Sequence, residues 1–276
     1  MKTSVHLPKG ALAESVRGFV LTSTLDEAWP PQQPQLNHFP AMPFCGLTRF
    51  TAGRVALIDA ARPEALRPMP DWIVFGPRTR PVTSLTLAPL RCVTVIFYPD
   101  AFALLTGRMP GELQDRDEAV QDWLAQPWQA WPAALCSRAD DPAAQLAWMQ
   151  DWLLPRWLAV RPRWNRLLGQ SLRHAVRQGA TAAVHALGLS ERQVQRHHRS
   201  QVGLTPAQVR RLQRAQEALQ QLKEPCSAGR LAALAAELGY ADQAHLTREL
   251  REFTGLSPAR LQQRLQTDPH YWPYRL

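Results

Sequence analysis

The sequence predicts an α+β protein of two domains, in which a β-rich half, residues 1–163, precedes an all-α half, residues 164–276. A chain of 276 residues exceeds one average domain. Nineteen of the 24 prolines lie at or before Pro162, where they favour strands, turns and loops over long helices. Charge divides at the same place, because the first half holds 16 basic against 15 acidic residues and the second half 16 against 8.

Composition indicates a folded chain with a hydrophobic core, since 45% of the residues are hydrophobic and 20% are charged. No apolar run approaches the length of a membrane span, and the N-terminus lacks the apolar stretch of a secretory signal. We therefore expect a soluble, cytoplasmic protein without a membrane partner. The four cysteines are far apart and form no C-x-x-C pair, so we expect reduced thiols rather than a zinc finger or a redox dithiol.

Short apolar runs bounded by turn residues recur in the first half, a rhythm typical of antiparallel strands in a sandwich or barrel. The predicted strands are Gly18–Leu21, Gly46–Phe50, Arg54–Ile58, Trp72–Phe75, Thr83–Leu87 and Cys92–Tyr98. Helical patterns follow them over Ala101–Leu105, Glu118–Leu124 and Ala143–Leu158. The first half is therefore expected to be a β-rich barrel with following helices.

Tryptophan is concentrated in the connecting region, since seven of the ten tryptophans lie between positions 123 and 164. Trp148 and Trp152 are four residues apart and share one helical face. Such a stripe usually packs in a core, but aromatic residues are also enriched at the centres of interfaces. The surplus of tryptophan leads us to expect a homodimer formed by residues 1–163.

Helix boundaries in the second half are marked by three kinds of end signal. A Ser or Thr followed three residues later by Gln fits a capping box, Pro fits the first helical position, and Gly fits the residue that stops a helix. The residues concerned are Ser190 with Gln193, Thr205 with Gln208, Pro206, Pro258, Gly203 and Gly255.

The second half also contains a duplication. Gly188 recurs as Gly239 after 51 residues, and Gly203 recurs as Gly255 after 52. Each copy is expected to form a short helix, a tight turn at the first glycine and a second helix, which predicts two helix-turn-helix units. The intervening helix, predicted over Pro206–Lys223, would be about 27 Å long at 1.5 Å per residue and could hold two reading helices roughly one DNA turn apart.

A polar stripe lies along the second helix of the first copy. Its residues are spaced i, i+3, i+4 and i+7 and are Arg192, Gln195, Arg196 and Arg199. Fifteen of the sixteen basic residues in this half are arginine, the side chain suited to phosphate and guanine. The sequence therefore predicts double-stranded DNA as the partner of the helical half.

Residues 164–266 resemble the DNA-binding domain of the AraC/XylS family of bacterial transcription regulators. The most specific segment is Leu231–Pro258, which reads LAALAAELGYADQAHLTRELREFTGLSP. The resemblance implies that DNA bases or nearby phosphates face Arg192, Gln195 and Arg196 in the first recognition helix and Gln243, Ala244, His245, Thr247 and Arg248 in the second.

His198 and Leu250 depart from the family, which usually has an aromatic residue, mostly Phe, at these two positions. We expect His198 to be a hydrogen-bonded core histidine. The alternative is a histidine turned towards the phosphate backbone.

The first half is similar, less specifically, to the cupin-like sensing domains attached to such regulators, through Trp72–Arg78 and Val93–Pro99. This similarity implies a cupin-like barrel and a small-molecule effector. His6 and His38 are far apart, so we expect no metal and no cofactor. Asp115, Asp117 and Glu118 are interpreted as solvent-facing loop charges rather than catalytic carboxylates, and no enzyme is predicted.

The predicted function is sequence-specific DNA binding in an effector-responsive transcription regulator, with RNA polymerase as a further candidate partner. Two alternatives remain, a DNA-repair protein and a ligand-binding protein that uses its helical half as a delivery or partner-binding module. Repair would need a four-cysteine metal site or a reactive thiol motif, and the cysteine spacing shows neither. Salt-dependent binding to a defined promoter would exclude the second alternative.

Overall fold

The computed structural model describes residues 2–25, 35–58, 64–166, 190–223 and 228–275. Its first half contains strands followed by helices and its second half is helical, so the predicted α+β class is confirmed. The glycine turn predicted at Gly188 and the thiol of Cys226 lie outside the described residues. The division of the chain at residues 163 and 164 stays a prediction, and it lies near the end of a long helix.

The strands belong to two antiparallel sheets. In chain order they are β1 (Lys2–His6), β2 (Val16–Ser23), β3 (Gln35–Phe39), β4 (Cys45–Ala52), β5 (Val55–Ile58), β6 (Leu66–Pro68), β7 (Trp72–Phe75), β8 (Val82–Thr86), β9 (Arg91–Phe97) and β10 (Asp117–Ala119). One sheet has the order β1-β2-β9-β4-β7-β10 and the other β3-β8-β5-β6. All six predicted strands are present, whereas β1, β3, β6 and β10 were not predicted.

The described helices fall into two groups along the chain. They are α1 (Pro99–Thr106), α2 (Val120–Trp123), α3 (Trp131–Cys136), α4 (Pro142–Arg166), α5 (Glu191–Val202), α6 (Pro206–Gln221), α7 (Ala228–Glu237), α8 (Gln243–Thr254) and α9 (Pro258–Thr267). A 3-10 segment, Pro269–Arg275, follows α9 and is called here the C-terminal segment. Among the described helices, none combines the length and the apolar character that crossing a membrane requires.

Two helix predictions need correction. The helix predicted over Glu118–Leu124 begins only at Val120, because Asp117–Ala119 pairs with β7 as strand β10. The expectation that proline prevents long helices in the first half is also wrong, since α4 has 25 residues and contains Pro155 and Pro162. Both prolines are exposed, so the carbonyl groups that they leave without a backbone donor lie on the outer side of the helix.

One face of the six-stranded sheet is packed in the core and the other borders a cavity, as the alternation of side chains along β9 shows. Val93, Val95 and Phe97 are buried against α1, α3 and α4. The residues that alternate with them, Cys92, Thr94 and Ile96, line a cavity on the other face of the sheet. Because successive side chains of a strand point to opposite faces, one strand contributes to the core and to the cavity wall.

A cluster of tryptophans fills the core beneath α3 and α4. The ring of Trp131, 1% exposed, lies 5.3 to 6.0 Å from the rings of Trp72, Trp128, Trp148 and Trp152. Trp157 is fully buried, whereas Trp148 and Trp152 are half-buried. Much of the tryptophan surplus therefore stabilises the core of its own domain, which weakens the argument from tryptophan content for a dimer interface.

Asp117 is not a loop charge. Its side chain is buried on β10, where it forms ion pairs with Arg78 and with Arg67, whose Nη2 lies 3.0 Å from Oδ2. Asp115 accepts hydrogen bonds from the backbone N–H and the hydroxyl of Thr79, both at 2.7 Å. The interpretation of these residues as solvent-facing is wrong for Asp117, because a buried carboxylate must be paired.

The two halves of the chain meet at β3. Trp272 of the C-terminal segment donates from Nε1 to Oδ1 of Asn37 at 2.7 Å, and the ring of Tyr271 stacks on His38 with centroids 4.4 Å apart. Beside them, the N–H of Ala41 donates to the carbonyl of Phe253 at 3.0 Å. The helical half is therefore held against the four-stranded sheet by rings and hydrogen bonds together.

A second contact joins the end of α5 to the loop after α1. Gly203 has φ +82°, and a Cβ built on it would lie 2.9 Å from the Cα of Gly111. The two backbones thus approach more closely than any side chain at position 203 would allow.

Replacement of Asp117 by Asn is expected to lower the free energy of unfolding by about 3 to 5 kcal/mol, because Arg78 would remain buried without its counter-charge. Urea unfolding measures this change. The control is Glu118→Gln, an exposed neighbour, which should shift stability by no more than about 0.5 kcal/mol. Equal effects of the two substitutions would contradict the assignment.

Candidate nucleic-acid interface and a neighbouring cavity

Helix α5 begins and ends where its end signals predicted. The N–H of Gln193 donates to Oγ of Ser190 at 3.3 Å, and the N–H of Ser190 donates back to Oε1 of Gln193 at 2.8 Å. This reciprocal pair is a complete capping box. At the other end Gly203 adopts the left-handed conformation that stops the helix.

The polar stripe of α5 faces away from the core. Val194, His198 and Val202 are buried on one side of the helix. The stripe on the opposite side is exposed along its whole length and consists of Arg192, Gln195, Arg196 and Arg199. Gln195 donates to Oε1 of Glu191 within the same helix at 3.1 Å, which leaves the guanidinium groups as the principal donors of this face.

His198 is a core residue, as expected. It is 3% exposed, and its Nδ1 lies 2.7 Å from the carbonyl oxygen of Leu204, to which it donates. The hydrogen bond fixes the turn between α5 and α6 from the inside. The alternative, in which this histidine faces the phosphate backbone, is therefore excluded by its burial.

Helix α6 separates the two units. It begins with a second capping box, formed by Thr205 and Gln208, with Pro206 at its first position. It ends at Gln221, two residues before the predicted end, and is about 24 Å long at 1.5 Å per residue. Its buried face carries Val209, Leu212 and Leu219.

Helix α8 presents the second polar face. Asp242 caps it by accepting from the N–H of His245 at 2.6 Å, and Gly255 ends it with φ +77°. The inner face carries Leu246, Leu250 and Phe253, all buried as predicted. Of the predicted DNA-facing residues, Gln243, Ala244 and Arg248 are exposed, and His245 and Thr247 are half-buried.

His245 differs from the other predicted contacts because its ring already has protein neighbours. Its Nε2 lies 3.6 Å from Oε1 of Glu249, its Nδ1 accepts from the N–H of Ala241 at 3.4 Å, and its ring meets Tyr240 edge-on at 5.3 Å. These contacts orient the imidazole. Its side chain is 34% exposed and can still reach a partner outside the protein.

Sequence reasoning missed the group that joins α6 to α8. Glu249 lies on the inner side of α8, 4% exposed, and its Oε1 lies 2.7 Å from Nε of Arg211. Arg211 also reaches Oε2 of Glu252 at 2.6 Å, while Arg214 lies 3.4 Å from Oε1 of Glu249. Charged residues in a polar helix are usually taken as exposed, so no sequence signal marked this carboxylate as buried.

A cavity of about 1310 Å³ lies between the two sheets and extends to α6. One part of its wall comes from side chains of both sheets, among them Val20, Thr48, Leu57, Ser84 and Thr94. The remainder comes from the helical half, and its residues include His198, Val202, Arg210, Arg211, Arg214, Trp272 and Tyr274. The cavity is therefore bounded by both halves of the chain.

Metal ligands are not concentrated at this cavity or elsewhere in the described ranges, which contain no cluster of three or more His, Cys, Asp or Glu side chains suited to an ion. Burial raises the pKa of Cys92, which lines the cavity, to about 12. Its thiol is accordingly held in the protonated, weakly nucleophilic form at neutral pH.

Residues 183–264 match the sequence profile of a helix-turn-helix domain family. The match spans both capped units described above. The chain carries an AraC-type helix-turn-helix domain. DNA binding in transcription regulation is the function of that domain, and the two-domain α+β architecture predicted from the sequence is the one observed.

Solved structures similar to this chain include ToxT from Vibrio cholerae O395, at 11% identity over 85% of this chain and 98% of that one, with a TM-score of 0.39. An apo ToxT variant from Vibrio cholerae strain SCE256 is also 11% identical, over 90% and 97% of the two chains, with a TM-score of 0.43. ToxT of that strain has also been solved with an unsaturated fatty acid bound. A search of curated protein sequences found no significant match.

Replacement of Arg196 or Arg248 by Ala is expected to weaken operator binding by about 1 to 3 kcal/mol each and to relax base preference at one position, because a bidentate contact to guanine would be lost. Gel-shift titration against a panel of single-base variants measures both effects. Arg264→Ala is the control, since this exposed arginine pairs with Asp268 at 3.0 Å. Unchanged binding of both recognition-helix variants at moderate salt would refute the assignment.

Proposed function

We propose that the protein is an effector-responsive transcription regulator that reads double-stranded DNA with the exposed faces of α5 and α8. The observation that carries the proposal is the presence of two polar helix faces, each on a capped helix that ends at a left-handed glycine, before and after helix α6 in the chain. Such recognition helices enter the major groove in helix-turn-helix proteins.

The side chains on these faces suit base recognition. Arginine can pair bidentately with guanine and glutamine with adenine, so Arg192, Arg196 and Gln195 supply direct readout in α5. In α8, Arg248 and Gln243 have the same chemistry. Ala244 offers only an apolar contact, which suits a thymine methyl group and gives weak discrimination.

The described residues offer no observation that favours DNA repair. Burial raises the pKa of Cys45 and of Cys92, whereas a nucleophilic thiol needs a lowered one. Catalysis is accordingly not part of the proposed function. Because DNA is the proposed partner, we place the protein in the cytoplasm.

The cavity between the sheets is the proposed effector site. Its volume of about 1310 Å³ exceeds the roughly 1,000 Å³ of the largest typical small-molecule pockets, so it has room for such a molecule. Apolar side chains of both sheets line it. Because its wall also includes α6 and the C-terminal segment, an occupant would contact both halves of the chain. The proposed effector is therefore a small, largely apolar molecule.

We further propose that the protein acts as a homodimer and that RNA polymerase is a partner at the promoter. Leu154 and Leu158 lie one turn apart on α4 and are 37% and 46% exposed. This pair is a better candidate for a dimer contact than the buried tryptophans are. A dimer would bring two DNA-binding domains to one operator and raise avidity through effective concentration.

Footprinting of the full chain on the DNA beside its own gene tests the reading of DNA. Each copy is expected to protect two major-groove segments about 10 base pairs apart, because α6 separates two recognition helices. Light scattering on the same protein without DNA gives its mass, for which twice 31.1 kDa is expected. Protection of a single groove segment per copy would contradict the proposal.

Replacement of Ser84 by Trp is expected to weaken binding of the fluorescent probe anilinonaphthalene sulfonate at least about tenfold, or 1.4 kcal/mol, because the indole would occupy the cavity. Fluorescence titration measures the dissociation constant. Leu87→Trp is the matched control, since Leu87 follows the same strand but is 47% exposed and lies outside the cavity. Probe binding that a chelator abolishes, or that Ser84→Trp leaves unchanged, would count against this site.

A further inference from the structure

Four charged side chains connect the cavity wall to the second recognition helix. We call Arg211, Arg214, Glu249 and Glu252 the arginine bridge. Arg211 and Arg214 belong to α6 and line the cavity. Glu249 and Glu252 belong to α8, which carries the second polar face. The bridge is thus the polar connection between the proposed effector site and a DNA-reading helix.

Arg211 forms the first arm of the bridge. Its guanidinium donates from Nε to Oε1 of Glu249 at 2.7 Å and from Nη2 to Oε2 of Glu252 at 2.6 Å, so one planar group holds two successive turns of α8. It also lies over the ring of Phe253, 5.3 Å from the centroid. Such a fork has a fixed geometry, and a shift of the guanidinium therefore displaces both carboxylates.

Arg214 forms the second arm and holds the turn that precedes α8. Its Nη1 donates to the carbonyl of Gly239 at 3.2 Å, and its guanidinium lies 4.7 Å from the ring centroid of Tyr240. Gly239 has φ +70°, as a tight turn between two helices requires. Arg214 thereby fixes the start of α8 relative to α6.

Breaking the ion pairs of the arginine bridge is energetically unfavourable because Glu249 is buried. Removing a charge from water is unfavourable unless it is paired, so Glu249 must follow the guanidinium groups that neutralise it. Burial, followed by the negative charge of Glu249, raises the pKa of Tyr240 beside it. Two of the predicted DNA-facing residues are close to Glu249 in the chain. His245 lies one helical turn before it, and Arg248 immediately precedes it.

We propose that Arg211 and Arg214 are positioning residues that couple occupancy of the cavity to the placement of α8 on DNA. This inference rests on the proposed function. A molecule in the cavity contacts Arg211 and Arg214, which line it, and α8 responds through Glu249 and Glu252. By reciprocity, DNA bound to α8 changes the affinity of the cavity for its occupant by the same factor.

The experiment is a binding cycle on the full chain. A duplex recovered by in-vitro selection with the protein is the DNA, and anilinonaphthalene sulfonate is the cavity probe. The dissociation constant of the probe is measured with and without saturating duplex. We expect the duplex to change it at least about fivefold in the wild type and less than about twofold in Arg211→Met.

Two further variants keep the cycle interpretable. Arg264→Met is the control, because Arg264 is exposed, is not part of the cavity wall and pairs with Asp268 rather than with a residue of α8. It should retain the wild-type factor. Arg211→Lys retains the positive charge but cannot hydrogen-bond to both glutamates at once in a fixed geometry. This variant tests the arginine bridge if Arg211→Met does not fold. Loss of the coupling factor in Arg211→Lys supports the bridge.

The outcomes separate the two proposals. Failure to select a duplex, or failure of the probe to bind, overturns the proposed function and the bridge with it. Binding of both partners without mutual influence in the wild type overturns the bridge alone. So does a coupling factor that survives in every folded Arg211 variant, because the connection would then run elsewhere.

Discussion

The contact between β3 and the C-terminal segment determines how the two halves of this chain are arranged. Strand β3 lies at the edge of the four-stranded sheet, where unpaired backbone groups are a liability in an isolated domain. The C-terminal segment covers this strand through Trp272 and Tyr271. Tyr274 of the same segment is buried in the helical core and donates to the carbonyl of Thr254 at 3.3 Å. One short segment therefore belongs to the packing of both halves, and it places α6 over the cavity.

This arrangement makes the cavity a property of the whole chain. The sheet wall alone is open towards α6, and the helical wall combines the paired charges of Arg211 and Arg214 with apolar side chains such as Val202, Val209 and Leu219. The affinity of an occupant that contacts both walls depends on how the two walls are arranged. A ligand shifts a conformational equilibrium only when its affinity differs between the conformations, and such an occupant meets this condition. The tryptophan core beneath α4 lies on the opposite face of the six-stranded sheet and supplies the rigid support for that wall.

The features that could be predicted from sequence are those decided within a few residues. The capping boxes at Ser190 and Thr205 and the stop at Gly203 depend on local hydrogen bonds and backbone angles, and they lie where the sequence predicted them. Asp117 and Glu249 were misjudged or missed because their burial depends on arginines 39 and 38 residues away along the chain. Strands β1, β3, β6 and β10 were not recognised, since their pairing partners rather than an apolar run of their own define them.

The close approach of Gly203 to Gly111 has a consequence for how such a chain can evolve. Gly203 is restricted twice, by its left-handed backbone and by the neighbouring Cα, whereas Gly111 is restricted only by the contact. A side chain at position 111 would place its Cβ 3.3 Å from the carbonyl oxygen of Arg199 and from the Cα of Gly203, so the contact between the two halves would have to widen. In related proteins that keep this contact between the halves, we expect small residues at both positions 111 and 203. Larger residues at position 111 alone would indicate that the contact has been lost.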